Sequence, residues 1–365
     1  MNKGDAGTSF HHFGTIRMNP LARDLDHILE HTAPIWAELH DSRIFLTGGT
    51  GFFGCWLLES FCQAVDRLGL QASLTVLTRS AESFRRKSPH LASHHAVHMM
   101  EGDIRTFGFP AGSFTHVIHG AAASSAALYR DQPLEMLDTI VEGTRRTLQF
   151  AASAGAQRFL MLSSGSIYGP LAPGMTLVSE EYRGGPDPTD TRSVYAEGKR
   201  VAEWLCCQHA RAGGFGCPIA RGFAFVGPHL PLDTHFAIGN FIGDCLMGRT
   251  IEIRGDGTAY RSYLYTADLA IWLWTILVRG ASCQAYNVGS ERGLSIADLA
   301  ASVAAELAPS TGIRVLGVPR PGVPPDRYVP DTTRARVELG LQEWIPLEEA
   351  IRRTADWYSA SAAKV

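Results

Sequence analysis

The sequence has few of the features that mark secreted, zinc-binding or membrane proteins. Its seven cysteines are odd in number and contain no Cys-x-x-Cys pair, which argues against a disulfide framework and against a zinc site. The longest apolar run, near Ala270–Val278, is about half as long as a helix that crosses a bilayer. Met1–Arg17 lack the apolar segment of a signal peptide. We therefore expect a cytoplasmic protein with reduced thiols and no membrane partner.

The sequence also lacks an excess of positive charge. Its 33 Lys and Arg residues against 36 Asp and Glu residues give a formal net charge of −3. This balance excludes a generally basic protein that binds nucleic acid. Apolar residue types make up 45% of the 365 residues and charged types 19%, which is typical of globular chains with a large core. At about 150 residues per domain, this length predicts two domains or one large domain with an appendage.

A histidine-rich stretch before the predicted third strand does not have the spacing of a metal site. The stretch contains His90, His94, His95 and His98. No carboxylate stands at a suitable distance along the chain, and the stretch leads into the strand. We therefore expect no bound metal.

Short apolar runs alternate with amphipathic segments through the first half of the chain. Ile44–Thr47 is too short for a helix and has the pattern of a buried strand, whereas Cys55–Leu68 has the apolar spacing of a helix. Further strands are predicted at Leu74–Leu77, His95–Met100, Thr115–His119, Arg158–Leu162 and Pro218–Phe225. Strands that alternate with helices in this way form parallel βαβ units. The sequence therefore predicts an α/β fold with a Rossmann-like, doubly wound parallel sheet.

The segments on either side of this pattern differ from it. Residues 1–40 are predicted to form a loose arm followed by a helix, which Pro34 kinks or ends. After residue 220 the chain mixes short strands, helices such as Thr266–Arg279 and a Pro-rich loop at Pro319–Pro330. We expect residues 41–220 to form the parallel-sheet domain. Residues 221–365 are expected to form mainly a smaller mixed α/β lobe, with some segments that return to the sheet domain.

A glycine-rich loop joins the first strand of the sheet domain to its first helix. Gly48, Gly51 and Gly54 follow the pattern Gly-x-x-Gly-x-x-Gly. Glycines allow a tight turn and a close approach of backbone N–H groups to a phosphate, and the amino end of a helix adds positive potential. Because these glycines lie between a predicted strand and a predicted helix, they predict a dinucleotide site that includes Phe52 and Phe53.

The end of the second strand leaves the identity of the dinucleotide open. NAD sites usually have an acidic residue there, which accepts hydrogen bonds from the ribose, but this sequence has Thr78 and Arg79. Arg79 can stack on adenine or pair with a 2′-phosphate, so both NAD and NADP are compatible. Asp103 and Ile104 follow the third strand, where Asp103 can accept a hydrogen bond from the adenine amino group. Ala121-Ala122 would form a wall of small residues after the fourth strand.

Three residues combine into a candidate redox site. Tyr195 and Lys199 form a Tyr-x-x-x-Lys motif on a predicted helix, where positions i and i+4 share a face. The ammonium group would stabilise the phenolate and hold the cofactor ribose. The phenolate would then take a proton from a sugar hydroxyl while a hydride leaves for nicotinamide. Ser164 follows the fifth strand at the sheet edge where ligands bind, and would hydrogen-bond the same hydroxyl.

Together these segments resemble the extended short-chain dehydrogenases/reductases, specifically the NAD-dependent epimerase/dehydratase group that modifies nucleotide sugars. The resemblance covers about Arg43 to Tyr358. Its motifs are Thr47–Gly54, Gly102-Asp103, Ser163–Gly169, Tyr195–Glu203, Gly227-Pro228, Gly255–Asp268 and Tyr286–Gly289. The resemblance implies an enzyme that binds a dinucleotide in the domain of residues 41–220 and a nucleoside-diphosphate sugar in the smaller lobe.

The resemblance also implies which residues bind the substrate. Arg261 should meet the pyrophosphate, since a guanidinium suits phosphate geometry, and Asn240 can contact it too. The implied substrate-binding residues are Ser124, Ser166, Asn240 and Arg261. Members of the group usually form homodimers through the helices that correspond to Leu134–Ala154 and Tyr195–Arg211, and an apolar face on each helix is compatible with such a dimer.

Two positions after the fifth strand differ from the pattern of the group. Its 4,6-dehydratases carry an Asp-Glu pair where Gly165 and Ser166 stand, and its uronate decarboxylases carry a Glu where Ser166 stands. Removal of water without a base beside the ring carbon loses a contribution of about 10²–10⁴ in rate. A nucleotide-sugar 4-epimerase needs only Ser164, Tyr195 and Lys199 and a transient 4-keto sugar that is free to rotate. With NAD(P) recycled in place, it fits this sequence best.

Three alternatives stay open. Tyr195–Glu203 looks most like the decarboxylases, so a decarboxylase or dehydratase with an atypical acid/base group, such as Glu180 or Glu181, is the first. An NADPH-dependent reductase of a keto sugar is the second. The third is a protein that senses the cofactor without catalysis, and the joint presence of the three candidate catalytic residues argues against it. The sequence does not name the nucleoside or the sugar.

Overall fold

Residues 19–121, 131–234 and 236–362 are described by the computed structural model of the protein. Seven strands form the central sheet: β1 Arg43–Thr47, β2 Ser73–Thr78, β3 Val97–Glu101, β4 His116–His119, β5 Arg158–Ser164, β6 Ile219–Gly222 and β11 Ala285–Val288. Their order is β11-β6-β5-β4-β1-β2-β3, and every neighbouring pair is parallel. The predicted α/β fold with a Rossmann-like doubly wound sheet is therefore confirmed.

The other described strands form small sheets in the second half of the chain. Their bounds are β7 Phe225–Val226, β8 Ile251–Ile253, β9 Tyr260–Arg261, β10 Leu264–Tyr265, β12 Leu294–Ser295, β13 Ile313–Val315 and β14 Arg327–Tyr328. β7 pairs with β10, β8 pairs with β13, and β9 lies between β12 and β14. Strands β9 and β14 pair with each other, which places Arg261 opposite Tyr328 near the candidate site.

The helices cover both faces of the central sheet. Their bounds are α1 Ala22–Glu38, α2 Phe52–Leu68, α3 Ala81–Lys87, α4 Pro89–Ala92, α5 Pro133–Ser153, α6 Val194–Gly213, α7 Ala237–Leu246, α8 Thr266–Arg279, α9 Ile296–Leu307, α10 Thr333–Leu339 and α11 Leu347–Ala362. None of these described helices combines the length and the apolar composition that a membrane span requires.

Strand β1 shows how the two helical layers meet the sheet. Ile44 and Leu46 belong to the apolar core that α1, α2 and α8 form on one face, whereas Phe45 belongs to the core that α5 and α6 form on the other. Because successive side chains of a strand point to opposite faces, a short apolar run supplies both cores. The loops after the carboxyl ends of the parallel strands then meet at one edge of the sheet, where the candidate site lies.

Two predicted element boundaries are wrong. The strand predicted at Pro218–Phe225 ends at Gly222, and Phe225 begins a separate strand that pairs with β10. Pro34 does not end α1, which continues to Glu38. Pro34 and Glu30 both lie on the exposed side of the helix, so the Glu30 carbonyl that loses its helical partner can bond to water.

Helix α1 packs into the sheet domain through an apolar face. Leu25, Ile28 and Trp36 are buried in the same core as α2 and α8. The ring of Trp36 lies 4.8 Å from the ring of Trp274, and its indole N–H donates to the Thr32 hydroxyl at 2.8 Å. The helix predicted within residues 1–40 is therefore part of the main core.

Buried polar contacts also tie α1 to α8 and α11. Asp24 is buried and accepts hydrogen bonds from the Tyr265 hydroxyl, at 2.7 Å, and from the Arg353 guanidinium. Burial raises the pKa of Asp24, although both partners act in the opposite direction. Nε2 of His27 lies 3.1 Å from Oδ1 of Asp268, which also accepts from backbone N–H groups before α11. These contacts join segments from both ends of the chain.

We expect Asp24→Ala to lower the free energy of unfolding by about 3 kcal/mol, because it removes the acceptor of a buried phenol and a buried guanidinium. Urea denaturation measures this change. Asp26→Ala is the matched control, since Asp26 lies on the exposed side of the same helix, 3.3 Å from Arg67, and should cost less than about 1 kcal/mol. Equal losses in the two variants would contradict the structural role of Asp24.

Candidate active site

The glycine loop after β1 leaves an open cradle at the start of α2. Gly48 has a φ of +76°, and a Cβ there would lie 2.6 Å from the carbonyl carbon of Gly120. A Cβ on Gly54 would lie 2.4 Å from the backbone of Gly49, so α2 packs directly on the loop. Gly51 is exposed, and among the described residues a Cβ there would meet only the Gly48 carbonyl oxygen, at 3.4 Å. The loop therefore has room for a phosphate at a helix amino end.

A chain of buried hydrogen bonds lies beneath this loop. The hydroxyl of Thr47 accepts from the Ala121 N–H at 3.1 Å and lies 2.9 Å from Nδ1 of His119. Nε2 of His119 lies 3.0 Å from the hydroxyl of Thr144 on α5. Burial, with a smaller effect from Lys199, lowers the pKa of His119 to about 3, so the imidazole is neutral. The chain fixes the ends of β1 and β4 against α5, and the sequence analysis missed it.

The residues predicted around the adenosine lie at the ends of β2 and β3. Thr78 is buried, whereas Arg79 is exposed. Asp103 forms a two-pronged contact with Arg105, at 2.9 and 3.0 Å, which holds the pKa of its carboxyl below the ordinary value. Ile104 is buried against α5. Ile104 thus has a packing role here, and contact of Asp103 with adenine stays a prediction.

Other predicted cofactor residues lie around the start of α2 and the end of β4. Phe52 and Phe53 are half-buried in the first turn of α2, and the Phe53 ring lies edge-on to the ring of Phe225 at 4.8 Å. This contact joins the first turn of α2 to β7. Predicted residues Ala122 and Ser124 lie outside the described residues.

Lys199 joins the predicted catalytic helix to the end of β5. Its buried ammonium donates to the Leu162 carbonyl oxygen at 2.8 Å, two residues before Ser164. The nitrogen also lies 5.8 Å from the centre of the Tyr195 ring, one turn earlier on α6. Burial lowers the pKa of Lys199 to about 8. The structure therefore brings the predicted tyrosine and lysine to the strand end that carries the predicted serine.

Tyr328 is a further residue at this strand end, and the sequence analysis did not predict it. Its hydroxyl donates to the Gly222 carbonyl oxygen at 3.2 Å and lies 3.4 Å from the hydroxyl oxygen of Ser164. Strand β14 pairs Tyr328 with Arg261 of β9, and the Arg261 guanidinium lies 5.7 Å from the Tyr328 ring centre. Arg261 also pairs with Asp326 at 2.7 Å. The predicted phosphate ligand therefore lies beside a residue that touches the predicted catalytic serine.

The remaining predicted substrate residues differ in their surroundings. The hydroxyl oxygen of Ser166 is buried and has no hydrogen-bond partner among the described residues, and its backbone N–H donates to the Ser164 hydroxyl at 3.1 Å. A buried hydroxyl without a partner is costly, so it is a candidate for contact with a ligand. Asn240 is half-buried on α7. Its contact with a pyrophosphate stays a prediction.

A buried ion pair fixes α6 against the sheet behind the site. Glu203 accepts from the Ser163 hydroxyl at 2.5 Å and pairs with Arg221 of β6 at 2.7 Å. Arg221 donates to the Tyr168 hydroxyl at 2.9 Å, which donates to Asn287 at 2.7 Å. Glu203 lies four residues after Lys199 and therefore on the same face of α6. This spacing could have indicated a role for Glu203 behind the site, and the sequence analysis did not use it.

The space at position 165 and the partners of the two suggested glutamates bear on the missing acid/base pair. A Cβ on Gly165 would lie 2.7 Å from the Phe223 ring, so this ring fills the space of a side chain. Glu180 accepts from the Asn287 backbone N–H at 2.7 Å, and Glu181 pairs with Arg334. Both carboxylates are thus engaged with other elements.

The histidine stretch has a carboxylate neighbour that the sequence analysis excluded. Folding brings Asp66 to 3.1 Å from Nε2 of His94, with His95 beside them. That exclusion was wrong, because it considered spacing along the chain alone. The Ala96 N–H donates to Nδ1 of His94, so the ring proton lies on Nε2 and bonds Asp66. This nitrogen has no lone pair for a metal, and the absence of a metal stays a prediction.

Curated proteins with similar sequences include UDP-glucuronic acid decarboxylases. UDP-glucuronic acid decarboxylase 1 of Danio rerio is 28% identical over 88% of this chain and 74% of its own length. UDP-glucuronic acid decarboxylase 6 of Arabidopsis thaliana is 29% identical over 85% of this chain and 86% of its own length.

Solved structures with the same fold include enzymes of two reaction types. A dTDP-glucose 4,6-dehydratase from Streptomyces venezuelae, with NAD and TYD bound, has a TM-score of 0.74 and 22% identity, and covers 88% of this chain and 98% of its own. A UDP-N-acetylglucosamine 4-epimerase from Methanobrevibacter ruminantium has a TM-score of 0.76 and 20% identity, and covers 88% and 99%. At these identities, the likeness supports the fold.

The matching family profile covers more reaction types than the single proteins above. Its description covers both epimerases and dehydratases, in agreement with the neighbouring structures. Because the profile of the NAD dependent epimerase/dehydratase family matches residues 44–289, well over half of the chain, the protein belongs to this family.

Proposed function

We propose that the protein is a nucleotide-sugar 4-epimerase. It would oxidise C4 of a nucleoside-diphosphate sugar to a ketone, let the sugar turn over, and reduce the other face. The observation that carries this proposal is the Phe223 ring packed on Gly165, together with Ser166 at the next position. A carboxylate side chain at position 165 would displace the Phe223 ring. The protein therefore lacks, at this position, the base that elimination of water from the sugar requires.

The glycine loop supports a dinucleotide as the cofactor. Its open Gly51 and its tightly packed Gly48 match a phosphate cradle, and the hydrogen bond from the Ala121 N–H to the Thr47 hydroxyl joins the segments after β4 and β1 beneath it. When bound, NAD or NADP supplies the acceptor and donor of the hydride. The protein's part is to hold the sugar hydroxyl, take its proton and return it.

The catalytic roles are inferred from the contacts of α6 and β5. Tyr195 takes the proton of the C4 hydroxyl, and Ser164 donates a hydrogen bond to the same oxygen. Lys199 supplies a positive charge that stabilises the phenolate and binds the cofactor ribose. Its burial beside β5 keeps water away, so its charge acts on these partners with little screening. The 3.4 Å contact between Ser164 and Tyr328 is long, so a substrate oxygen can replace it.

The substrate contacts in the smaller lobe are part of the same proposal. Arg261 would bind the pyrophosphate, since its guanidinium is within reach of the site through Tyr328 and offers several donors. The buried, unpartnered hydroxyl of Ser166 would bond a sugar oxygen. Asn240 and Ser124 complete the proposed set.

A uronate decarboxylase is the second candidate. The curated relatives favour it, since they are UDP-glucuronic acid decarboxylases by name. The chemistry is also close, because a 4-keto uronate is a β-keto acid and loses carbon dioxide more readily than a sugar loses water. Such an enzyme would use Ser164, Tyr195 and Lys199 for the same first oxidation.

Incubation with a panel of nucleoside-diphosphate hexoses and uronates separates the candidates. We expect a product of unchanged mass with inverted C4 configuration, detected by mass spectrometry and NMR. A uronate product that is lighter by the mass of carbon dioxide would replace the epimerase with the decarboxylase. A product that is lighter by the mass of water would indicate a dehydratase.

The same panel tests the catalytic tyrosine. Tyr195→Phe should lower kcat by about 10²–10⁴, because the proton acceptor is lost. Tyr182→Phe is the matched control, since the exposed Tyr182 hydroxyl donates to the Pro170 carbonyl oxygen and has no part in the proposed reaction. Turnover by Tyr195→Phe at the rate of the control would contradict the assignment.

Lys199→Met should abolish turnover and raise stability at pH 7 by about 2 kcal/mol, because an ammonium in this buried place costs free energy. The pKa of Lys199 is about 8 in the folded protein and higher when the chain unfolds. Between about pH 8 and pH 10.5 the unfolded chain therefore holds more protons, and wild-type stability rises with pH.

Urea denaturation at several pH values checks this prediction. The stability difference between Lys199→Met and the wild type should narrow from pH 7 to pH 10. Lys87→Met, which changes an exposed lysine, should show no such pH dependence. A constant difference would mean that Lys199 does not titrate in this range.

We also propose that the protein works in a reducing cytoplasm, where its seven free thiols persist.

We propose in addition a homodimer formed through α5 and α6. On these helices Leu134 is 74% exposed and Trp204 is 62% exposed. Large exposed apolar side chains of this kind favour an interface. Trp204→Glu should convert the dimer to a monomer in light scattering, and Val337→Glu on α10, also exposed, should not. A monomeric wild type would contradict the proposal.

A further inference from the structure

The adenosine end of the proposed dinucleotide site is basic, and the end of β2 carries Thr78 and Arg79 where NAD sites carry an acid. We propose that this end accepts a 2′-phosphate, so that the protein prefers NADP to NAD, with Arg79 and Lys87 as the ligands of that phosphate. This inference rests on the dinucleotide site of the proposed function. It goes beyond it by naming the cofactor and the residues that select it.

Arg79 stands directly after β2, where an acid binds the ribose hydroxyls in NAD sites. Thr78 before it is buried, and its hydroxyl oxygen accepts from the Ser80 N–H at 3.3 Å. The Ser80 hydroxyl in turn accepts from the Ser83 N–H and caps α3. Both hydroxyls at this strand end therefore accept hydrogen bonds from the local turn. Arg79 is exposed and lies near Asp103, whose pKa is lowered by its hydrogen bonds and, to a smaller degree, by the charge of Arg79.

Lys87, at the far end of α3, places a second cation beside the glycine loop. Its Nζ lies 3.4 Å from the carbonyl oxygen of Thr50, the residue before Gly51 in the glycine loop. Arg79 stands between β2 and α3, whereas Lys87 is the last residue of α3 and lies beside the glycine loop. The ribose of a Rossmann-bound adenosine lies between the end of the second strand and the glycine loop.

The carboxylates near this space already have partners. Glu101 of β3, which is opposite Thr78 in the sheet, accepts from the Ala81 N–H at 2.7 Å. Asp103 pairs with Arg105, and Glu82 pairs with Arg86 at 2.6 Å. Across Arg79–Lys87 and Glu101–Arg105, five basic residues face three acidic ones. The local charge therefore favours an additional phosphate.

The two cofactors differ only at this position, so the charges decide between them. A ribose diol donates hydrogen bonds and needs an acceptor, which the acid of an NAD site supplies. A 2′-phosphate carries negative charge and offers acceptors only, and a guanidinium binds it with two parallel hydrogen bonds. Arg79 and Lys87 offer donors only. NAD would thus meet two cations and no acceptor from these side chains.

Two measurements on the full-length wild type test the preference without any sugar. The nucleotide released by denaturing the purified protein is identified by mass spectrometry, and NADP is expected. Isothermal titration then compares NADP with NAD, and adenosine 2′,5′-bisphosphate with AMP, two fragments that differ only in the 2′-phosphate. We expect the phosphorylated member of each pair to bind at least about tenfold more tightly.

Variants assign the preference to the two residues. Arg79→Gln and Lys87→Gln should each weaken NADP binding about tenfold and change NAD binding less than about twofold. Arg79→Asp, which restores an acid, should reverse the preference. Arg86→Gln is the control, because Arg86 lies on the same helix but pairs with Glu82, and should leave both dissociation constants unchanged.

Equal or tighter binding of NAD by the wild type would overturn the inference. An equal loss of affinity for NADP and for NAD in Arg79→Gln would overturn it too. Either result leaves the proposed epimerase intact, because these titrations contain no substrate. In the opposite case, tight NADP binding without turnover of any sugar would contradict the proposed function and leave the cofactor preference standing.

Discussion

The buried hydrogen bond from Lys199 to the Leu162 carbonyl oxygen is the contact on which the site depends. An ammonium in the core is unfavourable on its own, and its partner here belongs to a strand rather than to another charge. The bond fixes one turn of α6 at the end of β5. Tyr195 lies a turn before it, and Glu203 lies a turn after it with its own bonds to β5 and β6. The phenol is thus held by a helix that is fixed at two levels.

Local patterns in the sequence are enough to predict the sheet, the glycine loop and the motif on α6. Each of these depends on residues only a few positions apart, such as the strand and helix on either side of Gly51. The Glu203–Arg221 pair spans 18 residues, and the position of Glu203 one turn after Lys199 on α6 was a local signal for it. Tyr328 could not be predicted in this way, because its contacts join segments far apart in the chain. Tyr328 is 164 residues from Ser164. The same reason explains the missed approach of Asp66 to His94, which depends on packing rather than spacing.

The closed space at Gly165 links the packing of the protein to the reaction that we propose for it. The Phe223 ring that fills it also lies 4.7 Å from the Tyr328 ring, so one aromatic cluster both occupies the position of an acid and supports the neighbour of Ser164. Oxidation at C4 is common to epimerases, dehydratases and decarboxylases, and the groups beside the ring select the second chemical step. In this protein those groups are apolar or uncharged.

Helix α1 has a consequence for how the chain folds during synthesis. Its buried Asp24 bonds Tyr265, 241 residues later, and Arg353, 329 residues later. A ribosome adds about 5–20 residues per second, so this helix waits many seconds before its partners leave the exit tunnel. Helix α2 is made soon after α1 and can cover part of its apolar face, whereas the partners of Asp24 arrive much later. Variants that weaken these late contacts should therefore lower the yield of folded protein before they affect catalysis.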